Sequence, residues 1–297
     1  MKNKVADYWG DFHTKPRSKL SWVESEVVMR NVNRRITKDE NMNMYQWFQD
    51  YSARRFEKAL IVGCGAGALE RDLFRMGIFD SALGIDVAEK SIEKAKADAL
   101  EGNIANIDYR VFNLEEDDYR TLGEFDLIVV NMVAHHVYPL NSFFKRIQNM
   151  LEDHDSLVLL NEYVGPNRFQ HDEKTVQIIN RLLNVVSDKF KANHLTDGKT
   201  LKTEYVLTPV QHFLDNDPSE AIRSEDVMKF FRKHFRILEE KNFGGAINHM
   251  LLTGIIENFE GSIEGENTLK LLMEFEEILE NFGVIQSDFV FAIGKKK

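Results

Sequence analysis

The eleven residues "LIVGCGAGALE", Leu60 to Glu70, constrain this chain more than any other stretch. An apolar run long enough for a buried strand meets three glycines within five residues, Gly63, Gly65 and Gly67, and a helical period begins at Ala68. Where a parallel strand ends, the amides opening the next helix point outward, and glycine lets a ligand reach them without a Cβ in the way. A merely tight connection would also use glycines, so the turn needs company. Asp86 closes the next strand candidate, 19 residues beyond Gly67, where a carboxylate can accept hydrogen bonds from both ribose hydroxyls of an adenosine. Asn113 and Leu114 end a third strand candidate, placed to reach the edge and cover the face of an adenine. Three consecutive strand ends therefore converge on a nucleoside-shaped slot.

The runs "ALIVG", "SALGID", "IDYRVFNL", "FDLIVVN" and "SLVLLNEY" alternate with helical periods over Ala68–Met76, Glu89–Ala99 and Ser142–Leu151. That alternation predicts an α/β fold, a parallel sheet with helices on both faces. After residue 163 the pattern changes. From Arg168 to about Val186 a helical stripe of Val176, Ile179, Leu182, Leu183 and Val186, and then the irregular "DNDPSEAIRSEDV", precede two further strand candidates, "RILEEKNF" and "DFVFAIGKK", with a helix through Leu269, Leu272, Met273 and Leu279 between them. The expected organisation is a single domain over residues 1–297: an N-terminal helical lid (1–55), a cofactor-binding core (56–163), a cap insertion (164–230) and the C-terminal part of the sheet (231–297). The aromatic residues Tyr8, Trp9, Phe12, Trp22, Tyr45, Trp47 and Phe48 are assigned to a lid that keeps water out.

Composition removes several alternatives. A net charge of -10 speaks against nucleic acid as a partner. The longest apolar runs are strand-sized and the opening "MKNKVADYWG" lacks a signal-peptide core, so no membrane span is expected. A single cysteine, Cys64, forms no internal disulfide, which points to a reducing cytoplasm, and with no base beside it in sequence it reads as a small packing residue. The nine histidines include no His-x-x-x-His pair with an acid, so no metal is expected. Oligomeric state leaves no trace in the sequence.

Gly63-x-Gly65-x-x-Ala68 also satisfies the dinucleotide pattern, which keeps an NAD(P)-dependent oxidoreductase open, as well as a nucleoside-binding module without catalysis. Taken in order, "LIVGCGAG", "ALGIDVAEKSIEKAK", "FNLEE" and "FDLIVVNMVAHHV" resemble the motifs of class I S-adenosylmethionine-dependent methyltransferases over about residues 58 to 163. The resemblance implies a Rossmann-like seven-stranded sheet whose last strand is antiparallel, and S-adenosyl-L-methionine as cofactor. By matching position it puts Gly63, Gly65 and Gly67 at the methionine part, Asp86 at the ribose, Asn113 and Leu114 at the adenine, and Asn131 beside the methionine group, with Val87 a further cofactor contact. One departure is Ile61, where the family carries an acid two residues before the first glycine, so another group must hold the amino group.

"NEYVGPNRFQ", "DPSEAIRSEDV", "FGGAINHMLLTGIIENF" and "VNRRITKDE" resemble stretches of methyltransferases associated with bacterial surface (capsular) polysaccharide biosynthesis. This second resemblance implies O-methylation of a small, polar, sugar-linked or phosphate-linked precursor. Aligning such an acceptor with an activated methyl can contribute roughly 7–11 kcal/mol. A hydroxyl acceptor also needs a base, for which His136, His249 and Glu162 are the candidates, with Glu162 and Tyr163 expected to face one crevice from the end of the fifth strand. A phosphate or carboxylate oxygen needs no base and would favour arginine, so Arg168 and Arg223, with Arg34 or Arg35, are candidate acceptor contacts. The plainer explanations are a polar loop for the histidines, an ion pair of Glu162 with Arg168 or Arg223, and surface charge for the remaining arginines.

Overall fold

Each apolar run read as a strand is one in the computed structural model, which describes residues 5, 6, 8–11 and 19–297. The strands are β1 (Phe56–Val62), β2 (Phe79–Asp86), β3 (Ile107–Val111), β4 (Leu127–Asn131), β5 (Leu157–Tyr163), β6 (Phe235–Gly244) and β7 (Phe289–Lys296). They form one sheet in the order β3-β2-β1-β4-β5-β7-β6. Pairing is parallel from β3 to β5, and β7 inserts antiparallel to both β5 and β6, as the resemblance implied. β1 and β2 begin earlier than the apolar runs suggest because Phe56 pairs in register with Phe79 and both rings are fully buried.

Side chains alternate across the sheet. Ala59 and Ile61 therefore enter one apolar cluster, and Leu60 and Val62 the other on the opposite face. Helices cover both: α1 (Glu26–Thr37), α2 (Met44–Ser52), α3 (Ala68–Arg75), α4 (Glu89–Glu101), α5 (Leu140–Asn149), α6 (Glu173–Val185), α7 (Val210–Asn216), α8 (Val227–His234), α9 (Asn248–Leu252) and α10 (Ile263–Asn281). α2 starts where Asn43 Oδ1 accepts the amides of Tyr45 and Gln46 and the Gln46 side chain returns to the Asn43 amide, a capping box. No helix among the described residues is long and apolar enough to cross a membrane.

The structure corrects three boundaries. β3 stops at Val111, so Asn113 and Leu114 stand in the loop beyond it. The helical stripe after β5 begins at Glu173 rather than Arg168, because Arg168 and Phe169 have φ of 56° and 55°, a left-handed turn no helix can include. The expected cap boundary at residue 230 falls inside α8, which runs unbroken into β6 and packs on α5. Of the expected lid aromatics, Phe12 lies outside the described residues, Phe48 is fully buried in the core and Trp47 stacks on Tyr51.

Candidate active site

A cavity of about 1110 Å³ opens at the carboxyl ends of β1, β2, β4 and β5. A pocket for one drug-sized ligand occupies roughly 300–1,000 Å³, so this space admits a nucleoside-sized molecule and a second reactant.

Its first part is built by the glycine turn. Gly63 has φ +71°, and a Cβ placed on it would lie 2.6 Å from the Val133 side chain. Gly63 and Gly65 line the cavity together with Asp86, Val87, Asn113 and Leu114. Asp86 is pinned by two backbone amides: Oδ2 accepts from Gly65 at 2.9 Å and Oδ1 from Ala88 at 2.8 Å. Each oxygen keeps a further lone pair for a ligand hydroxyl. Asn113 is fixed by its own turn, its amide donating to Asp117 at 2.7 Å and its side-chain oxygen accepting the Glu115 amide at 2.9 Å. Gly67 does not line the cavity, contrary to its expected ligand contact. Its φ is +77° and a Cβ there would fall 2.6 Å from the Arg71 guanidinium and 2.7 Å from the Tyr109 hydroxyl, so this glycine seats α3 closely on its neighbours.

The second part lies between β4 and β5. Ile61 is fully buried and offers no polar atom. Asn131 Oδ1 accepts from the Tyr45 hydroxyl and from Asn161 Nδ2, both at 2.8 Å, in the register that sets Asn131 opposite Asn161. Asn161 Oδ1 is left buried with no partner, in a residue on the cavity wall. A buried acceptor left unpaired costs about 1–3 kcal/mol, and an ammonium donor would satisfy it. The anchored Asp86 carboxylate and this orphaned oxygen fit the ribose and the amino group of S-adenosylmethionine. Asn161 carries no sequence signal of its own; only the pairing of β4 with β5 brings it to the site.

The third part is a histidine cluster on the turn after β4. Side-chain alternation puts Asn161 and Tyr163 on the cavity wall and turns Glu162 away from it, which corrects its assignment as a base. Glu162 is fully buried: Oε2 accepts the amides of Val133 (2.8 Å) and Ala134 (2.6 Å), and Oε1 accepts the Tyr163 amide and binds His135 Nδ1. It pairs with neither Arg168 nor Arg223. His135 Nε2 lies 3.5 Å from Glu220 Oε1. Burial opposes the charge on His135, but the Glu162 and Glu220 carboxylates outweigh it and raise the imidazole to about 10. Burial likewise opposes the charge of Glu220, and the histidines hold it down at about 2.

His136 Nδ1 lies 3.0 Å from Ser219 Oγ, whose own proton goes to Asp217 Oδ1 at 2.6 Å. The hydroxyl must therefore accept from Nδ1–H, leaving Nε2 with the lone pair. Burial and the neighbouring His135 charge lower the His136 pKa, against the raising effect of Glu220, Asp217 and Glu162. His249, at the start of α9, also faces the cavity; its Nδ1 is buried without a partner and burial lowers its pKa to about 3. Aromatic rings surround it: Phe289 at 5.3 Å, Phe169 at 5.5 Å and Tyr163 at 6.0 Å. The Tyr163 hydroxyl is committed to the Pro166 carbonyl, so Tyr163 offers the site its ring.

None of the four arginines named as acceptor contacts lines the cavity. Arg168 is buried and donates to the carbonyls of Glu220 and Pro218, each at 2.6 Å, fixing the loop that carries Ser219 and Glu220. Arg223 pairs with Asp226 and donates to the Tyr138 carbonyl. Arg34 and Arg35 pair with Glu277 and Glu280 on α10. Among the described residues lining the cavity there is no lysine or arginine. The expectation of no metal-ligating group rested on neighbours in sequence, whereas the fold brings Glu220 to His135 and His136, with ligand atoms within 4.8 Å of one another.

Residues 60–159 match the family model of a methyltransferase domain. Among curated relatives, the ubiquinone biosynthesis O-methyltransferase of Bradyrhizobium diazoefficiens is 32% identical over 125 residues, covering 38% of this chain and 47% of that protein. The mitochondrial ubiquinone biosynthesis O-methyltransferase of Homo sapiens is 35% identical over 104 residues, 34% of this chain and 28% of that one. The chain thus spans less than half the length of these relatives. Among solved structures, the geranyl diphosphate C-methyltransferase of Streptomyces coelicolor A3(2), in complex with Mg2+, geranyl diphosphate and S-adenosyl-L-homocysteine, shares the fold with a TM-score of 0.53 at 12% identity, covering 100% of this chain and 98% of that one.

Proposed function

We propose that this chain, which carries a class I S-adenosylmethionine-dependent methyltransferase domain, methylates a hydroxyl oxygen on a small, largely apolar acceptor. The observation that carries the reading is a single cavity holding both the Asp86 cradle and His249. Bound there, S-adenosylmethionine supplies a methyl group activated by the positive charge on its sulfur. Asp86 holds the ribose hydroxyls, Asn113 and Leu114 the adenine, and Asn161 the amino group. His249 takes the acceptor proton at Nδ1, and the aromatic wall orients the acceptor and excludes water.

Two features define the acceptor. Its surroundings, including Trp22, Tyr163, Phe169, Phe243 and Phe289, are aromatic, which suits a planar apolar body. A histidine as weakly basic as His249 suits an acidic hydroxyl such as a phenol, with a pKa of about 10, better than a sugar alcohol. The relatives named for O-methylation in ubiquinone biosynthesis support oxygen as the methylated atom. A sugar- or phosphate-linked precursor of surface polysaccharide, the acceptor implied by the second resemblance, finds no lysine or arginine among the described lining residues, and the charged His135 is already paired with Glu162 and Glu220, so it takes second place. The NAD(P) reading is not favoured, since the matching relatives are methyltransferases.

The test is a turnover screen reading S-adenosylhomocysteine release and the mass gain of one methyl. Phenols and catechols are expected to turn over while nucleotide-sugars do not. Methylation of nucleotide-sugars alone would restore the polar acceptor.

A further inference from the structure

We infer that His135, His136 and Glu220 bind one divalent transition-metal ion of the Zn2+ class beside the acceptor. Two imidazoles and one carboxylate form a donor set suited to such ions, in which three protein ligands leave one position open. The ligand atoms lie within 4.8 Å of one another, and His135 Nε2 stands 3.5 Å from Glu220 Oε1. Two ligands each about 2.0–2.2 Å from a tetrahedral ion are separated by roughly this distance. All three residues line the cavity, so the open position faces the space assigned to the acceptor.

What distinguishes this group from a chance cluster is how its rings are held. The Glu162 carboxylate binds His135 Nδ1, and the Ser219 hydroxyl, itself held by Asp217, accepts from His136 Nδ1. Metal-bound histidines almost always give their second nitrogen to such a partner, which fixes the ring and the free lone pair. The two segments are also joined directly: the Ile222 amide donates to the His135 carbonyl at 3.0 Å, and Arg168 clamps Pro218 and Glu220 from behind. Ligands from distant parts of the chain are thus prealigned. On binding, the ion replaces the proton that His135 otherwise holds between Glu162 and Glu220, and that proton leaves to solvent.

The ion's role rests on the O-methyl transfer reading. A divalent ion beside a hydroxyl lowers its pKa, which makes a base as weak as His249 sufficient.

The experiment uses tag-free, chelator-stripped protein titrated with Zn2+ by calorimetry and with Co2+ by visible absorption. One equivalent is expected, with the Co2+ bands of a four-coordinate site. Glu220→Gln is expected to weaken binding at least tenfold, and Ser219→Ala, which touches no ligand atom, by about tenfold. Titration with S-adenosylhomocysteine reports whether each variant retains a folded pocket. Absence of stoichiometric metal binding in wild-type protein, or equal binding by a folded Glu220→Gln variant, overturns the site while leaving the methyl-transfer reading standing. Metal binding without S-adenosylhomocysteine binding keeps the site and removes that reading.

Discussion

At Ile61 a buried aliphatic side chain stands where the resemblance would place a carboxylate, and the oxygen proposed to take its place, that of Asn161, lies unpaired two strands away. Asn161→Leu should weaken S-adenosylhomocysteine binding about tenfold, as measured by calorimetry, since it removes one hydrogen bond to a charged donor; unchanged affinity would return the amino group to other partners. His249→Ala should lower kcat about a hundredfold and leave cofactor affinity within about twofold. Glu70 gives a prediction independent of any ligand. It is fully buried beneath the glycine turn, and burial raises it from 4.5 to about 7 over the lowering effect of its own backbone, Arg71 and the Tyr109 hydroxyl. The unfolded chain ionises from about 4.5 while the fold holds the proton to about 7, so stability declines as pH rises through that window. Glu70→Gln should therefore raise the melting temperature at pH 8, with a gain on the order of 2–3 kcal/mol, and change little at pH 4; equal effects at both would show that its charge is not the cause.

Two short segments, the turn after β4 and the loop around Ser219, make the histidine cluster, and Arg168 braces the second of them. Arg168→Met leaves the Pro218 and Glu220 carbonyls without their donor. It is expected to cost about 1–3 kcal/mol in thermal unfolding and to lower kcat more than cofactor affinity. The strands and core helices were legible because periods of 2 and 3.6 are written locally, and the glycine turn with Asp86 was legible because its spacing reflects one strand-turn-helix unit. The left-handed turn at Arg168 and Phe169 was not, since neither residue favours that conformation. Glu162 was misassigned because topology names a strand end, whereas only the pleat decides which side chain faces the cavity. The roles of Arg168 and Glu220 were hidden because their partners are about 50 and 85 residues away.

At the scale of the molecule, the sheet provides the cradle and later segments the surroundings of the acceptor. Val5 and Trp9 reach the cavity from the N-terminal side, and Trp9 Nε1 donates to Asp217 at 3.0 Å while its ring meets His136 edge-on at 5.3 Å. We propose that this segment acts as the lid expected from its aromatic content. Removing residues 1–18 should then raise KM for the acceptor more than it weakens S-adenosylhomocysteine binding. The Asp86 cradle is tested most directly by one titration, S-adenosylhomocysteine against wild-type protein and Asp86→Ala, with NAD as the competing ligand. Saturable binding to the wild type, weakened about a hundredfold or more by the substitution and unaffected by NAD, is the predicted result. Tight binding of NAD, or S-adenosylhomocysteine affinity indifferent to Asp86, would contradict it.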